Sequence, residues 1–245
     1  MSKVSKLLYT ALSQVGVTEN GRNNVPYNTW YYGREVCDSA GTGAYAWCVV
    51  FLSWCAHQAG LSAAIPKENN VGDLMNHYKK LGRFYERDAR VPETGDIIFF
   101  RTASGTGRHV GLVLATNGSR VATVEGNTSD AVRLRNYSLS DSTITGWGIP
   151  NYAACSMDSV EASRKEELAL IELKQGDRGE AVRALQIRLL YEGYDLGNFG
   201  NKKDGADGQY GGKTRAAVLD YQKKQGLDAD GIAGVKTLSR LYGLN

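Results

Sequence analysis

His109-Val110-Gly111-Leu112-Val113-Leu114-Ala115, then Thr116-Asn117-Gly118, then Ser119-Arg120-Val121-Ala122-Thr123-Val124-Glu125 is two apolar runs around a turn. Asn-Gly between two such runs is a strong hairpin signal. A two-residue loop at Asn117-Gly118 pairs 116 with 119 and sets His109 across from Gly126. Side chains alternate along a strand, so Glu125 then points to the other face. A three-residue loop with Gly118 left-handed pairs 115 with 119. In that register His109 lies directly opposite Glu125, and Asn127 follows on the same face. A base and an acid on one face are what general acid-base chemistry needs, so the chemistry selects the three-residue loop.

Upstream, Pro92-Glu93-Thr94-Gly95-Asp96 is a turn and Ile97-Ile98-Phe99-Phe100 a short buried strand. The earlier grammar is helical. Residues 3–15 and 71–81 carry helical spacing, and an apolar helix runs from about Trp47 to Ala59, with Gly60 where a left-handed cap belongs. Asn23 to Trp30 is expected as a polar, aromatic loop, and Gly146-Trp147-Gly148-Ile149-Pro150 closes this part. Helices first and antiparallel strands after predict an α+β fold.

Cys48 opens the apolar helix. The thiolate is the nucleophilic form of cysteine, and free N–H groups at a helix start favour it. Acyl transfer also requires a base within reach and a group that orients the base. His109 and Glu125 are the candidates. Cys55, two turns inside the same helix, reads as core, and His57 and His77 lack a neighbouring acid or thiol. Cys37, Cys48, Cys55 and Cys155 have no zinc spacing; a 37–55 bridge stays open. Tyr27, Trp30, Tyr31 and Tyr32, with Trp47, are candidate substrate-binding rings, because sugars stack on ring faces; the alternative is that they pack the loop before the Cys48 helix.

Downstream, Asp207-Gly208-Gln209-Tyr210-Gly211-Gly212-Lys213-Thr214 recurs as Asp230-Gly231-Ile232-Ala233-Gly234-Val235-Lys236-Thr237. Each copy is a turn entering a helix, with Ala217, Val218 and Tyr221 or Leu238 and Leu241 as its apolar face. An earlier helix over 179–192 carries Val182, Leu185, Leu189 and Leu190. The pattern predicts a small three-helix domain over 170–245, a charged linker over 153–169 and a first domain over 1–152. The longer turn at 198–207 shows too few oxygen ligands for a calcium loop.

Composition narrows the function classes. Hydrophobic residues at 42% and charged residues at 22% exclude a disordered or collagen-like chain. The net charge of +3 falls short of a nucleic-acid footprint. It comes from the first part, where residues 1–152 carry 15 Lys+Arg against 12 Asp+Glu. Such a bias suits an acidic polymer. No stretch approaches the roughly 18–20 apolar residues that span a bilayer. The first twenty residues form an amphipathic helix pattern without a signal peptide's apolar region, so synthesis in the cytoplasm is expected.

Four blocks, AWCVVFLSWCA from Ala46, PETGDIIFF from Pro92, RHVGLV from Arg108 and TVEGN from Thr123, together resemble the CHAP family of cysteine- and histidine-dependent amidohydrolases/peptidases. The resemblance spans about residues 5–152. The repeat region resembles the small three-helix peptidoglycan-binding domain. Together they look like an endolysin or a related wall hydrolase, with a papain-like fold and bacterial peptidoglycan as partner. The resemblance implies Cys48 as nucleophile, His109 as base, Glu125 as the residue holding the imidazole and Asn127 as an assisting polar group. Escape to the wall would come from another protein such as a holin. Trp47 stands where many members have Gln, which leaves the second oxyanion donor open. Some members bind calcium through several Asp residues upstream of the cysteine. Only Asp38 stands there, so no metal and no cofactor are expected. The other readings are a wall-binding protein without activity, or a bacterial autolysin or antibacterial toxin. Which amide is cut, and the oligomeric state, are not legible in these residues.

Overall fold

The computed structural model describes residues 3–101, 107–155, 172–200 and 205–241. The chain divides into two compact units, Lys6–Ser156 and Met157–Asn245 with Met1–Ser5. The expected linker over 153–169 lies almost wholly outside the described residues, as does the middle of the 198–207 turn. No helix among the described residues is long and apolar enough to cross a membrane.

Helices α1 (Lys3–Leu12, of which Lys6–Leu12 fall in the first unit), α2 (Pro26–Tyr32), α3 (Cys48–Gln58) and α4 (Val71–Lys80) precede the sheet in sequence. α3 is apolar on all sides, and Val49, Val50, Phe51, Leu52 and Cys55 are fully buried. A helix of that kind belongs in the middle of a core rather than on its surface. Gly60 takes the left-handed conformation expected after it (φ 73°). α4 is amphipathic and is started by Asn70, whose side chain accepts the N–H groups of Gly72 and Asp73.

The stretch expected as an aromatic loop is partly helical. α2 begins with Pro at its first turn and ends at Gly33 in the left-handed region (φ 68°). Those are ordinary start and stop signals. The aromatic run Tyr27 to Tyr32 masked them.

Strands β1 (Phe84–Glu86), β2 (Ile97–Arg101), β3 (Gly107–Thr116), β4 (Arg120–Glu125), β5 (Arg133–Ser138) and β6 (Ile144–Gly148) form one antiparallel sheet in the order β1-β6-β2-β3-β4-β5. The sequence pattern marked β2, β3 and β4. β6 enters between β1 and β2 because Gly146 and Gly148 allow close approach: a Cβ at Gly148 would meet the Tyr78 ring at 2.6 Å and the Phe99 ring at 2.8 Å. Tyr78 thus seats α4 on the sheet, with its hydroxyl donating to the Ala64 carbonyl at 3.0 Å. Ile98, Phe100, Val113, Val121, Ile144 and Trp147 build a separate buried cluster.

The hairpin register differs from the expected one. Leu112 pairs with Val124 and Val113 with Thr123, but Ala115 pairs with Ala122 and Thr116 with Val121. Leu114 is therefore an extra residue, a β-bulge. Gly118 is left-handed (φ 85°) as predicted, but the turn closes one residue later. The Asn117 N–H donates to the Arg120 carbonyl at 3.2 Å, and its side-chain oxygen accepts the N–H groups of Ser119 and Arg120. His109 is not directly opposite Glu125.

In the second unit, helices α5 (Glu180–Tyr191), α6 (Gly212–Lys224) and α7 (Val235–Leu241) pack Val182, Leu185, Leu189, Ala217, Val218, Tyr221 and Leu241 into one core. The repeated turns have a common construction. Buried Gln186 donates from Nε2 to Asp207 Oδ1, the Gln209 carbonyl and Thr214 Oγ1, and its Oε1 accepts the Gly208 N–H. Gln222 does the same for Asp230, the Ile232 carbonyl, Thr237 and the Gly231 N–H. Gly208 and Gly231 sit at φ 74° and 75°, which explains their place in both copies. Each turn is thereby held by an amide from the preceding helix.

Candidate active site

The site forms where α3 begins beside β3 and β4. Cys48 is the first residue of α3, and Trp47 before it supplies no side-chain cap. The opening N–H groups of the helix, which have no intrahelical acceptor, are therefore not satisfied by a cap at Trp47. Tyr45, three residues ahead of Cys48, is left-handed (φ 62°). Its carbonyl is held by the buried Asn28 side chain of α2, whose Nδ2 lies 2.8 Å from both the Tyr45 and Asn23 carbonyls. Asn28 was not singled out in the sequence. Its signal was a lone Asn within an aromatic run, too weak to find.

His109 Nε2 lies 2.8 Å from Glu125 Oε2, and the ring shares the cleft with the Cys48 thiol, which acts on it electrostatically. With Nε2 turned to Glu125, Nδ1 is the nitrogen left for the thiol. Glu125 is fully buried and has two further donors, Thr123 Oγ1 at 2.5 Å and Tyr137 OH at 3.2 Å. Burial alone would push the imidazole pKa down. The interactions with Cys48 and Glu125 outweigh it and raise His109 to about 9 from 6.5. Burial and the Glu125 charge push the Tyr137 hydroxyl well up, so it stays a donor.

Two glycines in the quoted motifs make this geometry. Thr123 lies opposite Val113, so Glu125, Gly111 and His109 share a face. A Cβ at Gly111 would stand 2.6 Å from Glu125 Cγ. The carboxylate therefore crosses the space of a missing side chain to reach His109 diagonally. A Cβ at Gly126 would meet Phe51 Cβ at 2.5 Å, so Gly126 lets α3 settle against the end of β4.

A cleft of about 450 Å³ opens at these groups, lined by Ala46, Cys48, Phe100, Arg101, Arg108, His109, Glu125, Asn127, Thr128, Ser129, Tyr137 and Thr143. Asn127 shares the cleft but lies beyond the end of β4, left-handed at φ 57°. Ser129 and Asp130 are left-handed too, a concentration of backbone strain typical of functional segments.

The expected ring surface is not there. Tyr27 and Trp47 are fully buried against each other and Phe51, and Trp47 Nε1 lies 3.3 Å from Glu19 Oε2. They are core residues, because the loop before α3 folds inward over them. Trp30 is half-buried, with its ring against His57 and under Lys67 Nζ. It does not line the cleft. Asp38 accepts from the Thr42 N–H and hydroxyl and the Gly43 N–H, which hold its carboxyl below the ordinary range. It closes a loop. Asp96 in the PETGD turn accepts the Glu93 N–H at 2.8 Å and pairs with Arg90 at 3.2 Å, also a structural role. The cysteines are all thiols, with Cys37 exposed and Cys55 buried, so no 37–55 bridge forms.

Residues 40–127 match the family described as "CHAP domain", and residues 178–241 match that described as "Putative peptidoglycan binding domain". The chain carries a CHAP domain followed by a peptidoglycan-binding domain. It is 42% identical over 82 residues to a "Probable N-acetylmuramoyl-L-alanine amidase" of Bacillus licheniformis, covering 34% of this chain and 22% of that protein. It is 45% identical over 73 residues to a "Zinc D-Ala-D-Ala carboxypeptidase" of Streptomyces albus G, covering 29% and 26%. The solved SleB N-terminal domain is 38% identical, with 29% of this chain and 88% of that one covered at a TM-score of 0.25. The chain spans about a quarter of the length of these curated relatives.

Proposed function

We propose that the protein is a peptidoglycan hydrolase that cuts an amide of the bacterial wall through Cys48, His109 and Glu125. The observation that carries this reading is the chain of contacts from Cys48 at a helix start through His109 to a buried, fully donated carboxylate, inside a matched CHAP domain. The two relatives bear names of different chemistries, an amidase and a zinc carboxypeptidase, so the reaction is argued from the CHAP domain rather than from them.

In this reading the Cys48 sulfur attacks the amide carbonyl carbon, and the Cys48 N–H stabilises the resulting oxyanion. His109, protonated, gives its proton to the leaving amine. It then takes a proton from water, which attacks the thioester and releases the acid product. Glu125 holds the ring and favours its charged form, and Asn127 assists from the cleft wall. The arrangement is papain-like, a nucleophile on a helix facing a base on an antiparallel sheet. The second domain, taken as three helices, tethers the enzyme to an insoluble substrate and raises its local concentration. A cytoplasmically made endolysin, released to the wall by a membrane-permeabilising protein, is the setting that fits best.

Digestion of purified sacculi with mass spectrometry of the fragments tests this. The wild type should release new amino groups and Cys48→Ala should release none while keeping its fold. Equal release by both sinks the assignment.

A further inference from the structure

We infer that the cleft contains a carboxylate-recognition subsite, formed by Arg101 and Arg108, that selects wall peptides with free carboxylates over amidated ones. This rests on the hydrolase reading above.

Arg101 and Arg108 stand at the facing ends of β2 and β3 and line the cleft that holds Cys48. The Arg101 Nε is spent on the Ser142 carbonyl at 3.1 Å, which fixes the stem of that side chain. Among the described residues no carboxylate pairs with either guanidinium. Glu125 is the one carboxylate among the cleft-lining residues. It is fully buried and already holds three donors, so it does not neutralise them.

Thr128 and Ser129 also line the cleft. Arg135 Nε donates to Thr128 Oγ1 at 2.8 Å and Arg135 Nη2 to Ser129 Oγ at 3.0 Å. Both hydroxyls act as acceptors there, so their own protons are available to a ligand. Among the described residues, the cleft thus offers two guanidinium groups without a carboxylate partner and two oriented hydroxyl donors, and its one carboxylate is the buried Glu125. Guanidinium groups in such an arrangement recognise a planar carboxylate by paired N–H donation, which a carboxamide, with one acceptor oxygen and no charge, does not match.

The test uses the full chain on two preparations of the same sacculi, one untreated and one with its carboxylates converted to carboxamides by carbodiimide and ammonia. Release of new amines is measured on each. The wild type should favour the untreated sacculi by about tenfold or more, and raising salt from about 0.05 to about 0.5 M should shrink that ratio. In the double variant Arg101→Gln, Arg108→Gln, checked for fold by circular dichroism, the ratio should approach one. A wild-type ratio near one, or a ratio unmoved by salt, overturns the subsite and leaves the hydrolase reading standing. A ratio that persists in a folded double variant does the same. No release from either preparation overturns the hydrolase reading itself.

Discussion

Gly111 lies directly beneath the Glu125 side chain, and a Cβ on it would come within 2.6 Å of Glu125 Cγ. The missing side chain is what allows the carboxylate to reach His109 from a non-opposed position. Gly111→Ala should push Glu125 aside and cost about a hundredfold in kcat/KM, the usual scale for a displacement of this kind. Amine release from sacculi, with near-ultraviolet circular dichroism to confirm the fold, checks it. A folded Gly111→Ala enzyme of normal rate would show that the Glu125 contact is dispensable.

The pH profile follows from the same contact. His109 is raised to about 9, so its imidazolium persists through neutral pH and is lost as pH climbs past about 9. Its raised value also means that its contribution to folding is complete below the ordinary 6.5 and is lost as pH rises from there through about 9. Activity should fall on the alkaline side near pH 9. Glu125→Gln removes a charge that favours the imidazolium, so the limb should move towards neutrality while some activity remains. An alkaline limb in the same place for both enzymes would contradict the assigned role.

The two cysteines of α3 should behave oppositely towards iodoacetamide. Cys48 lines the cleft, whereas Cys55 is fully enclosed and burial pushes its thiol well up. Peptide mapping after brief alkylation at neutral pH should find Cys48 modified with loss of activity and Cys55 untouched until the protein is unfolded. Exposed Cys37 should label without that loss. Inactivation that tracks Cys37 would refute the prediction.

In the second unit, Gln222→Ala strips partners from Asp230, Thr237, the Ile232 carbonyl and the Gly231 N–H together. Each buried group left unpaired costs about 1–3 kcal/mol, enough to lower Tm by several degrees or unfold a small unit. Gln186→Ala should act alike on the first turn. Thermal unfolding of the full chain, followed in this unit, measures both. An unchanged Tm would mean that the turns hold without their glutamines.

Local signals in the sequence were enough for α3, α4, the glycine stops, the repeated turns and the strands β2, β3 and β4. Backbone preferences and apolar spacing act over a few residues, and so they are legible in order along the chain. The Cys48, His109 and Glu125 set was readable for the same reason, as three chemistries placed at a helix start and on two strands. The pairing that joins them was not. The Leu114 bulge moves the register by one residue, and nothing near Leu114 encodes it, because a bulge is selected by packing on both strands at once. The strands β1, β5 and β6 carry little apolar pattern of their own and exist through their neighbours. Burial of Tyr27 and Trp47, read from residue type as ring surfaces, was decided by Phe51 and the fold of the loop before α3. Asn28, the Thr123 and Tyr137 donors and the two arginines of the cleft likewise owe their places to contacts between residues distant in the chain. Sequence determined which groups were available and where each element begins. Tertiary packing decided which of them meet, since alternation alone cannot say which residue faces which across a strand pair.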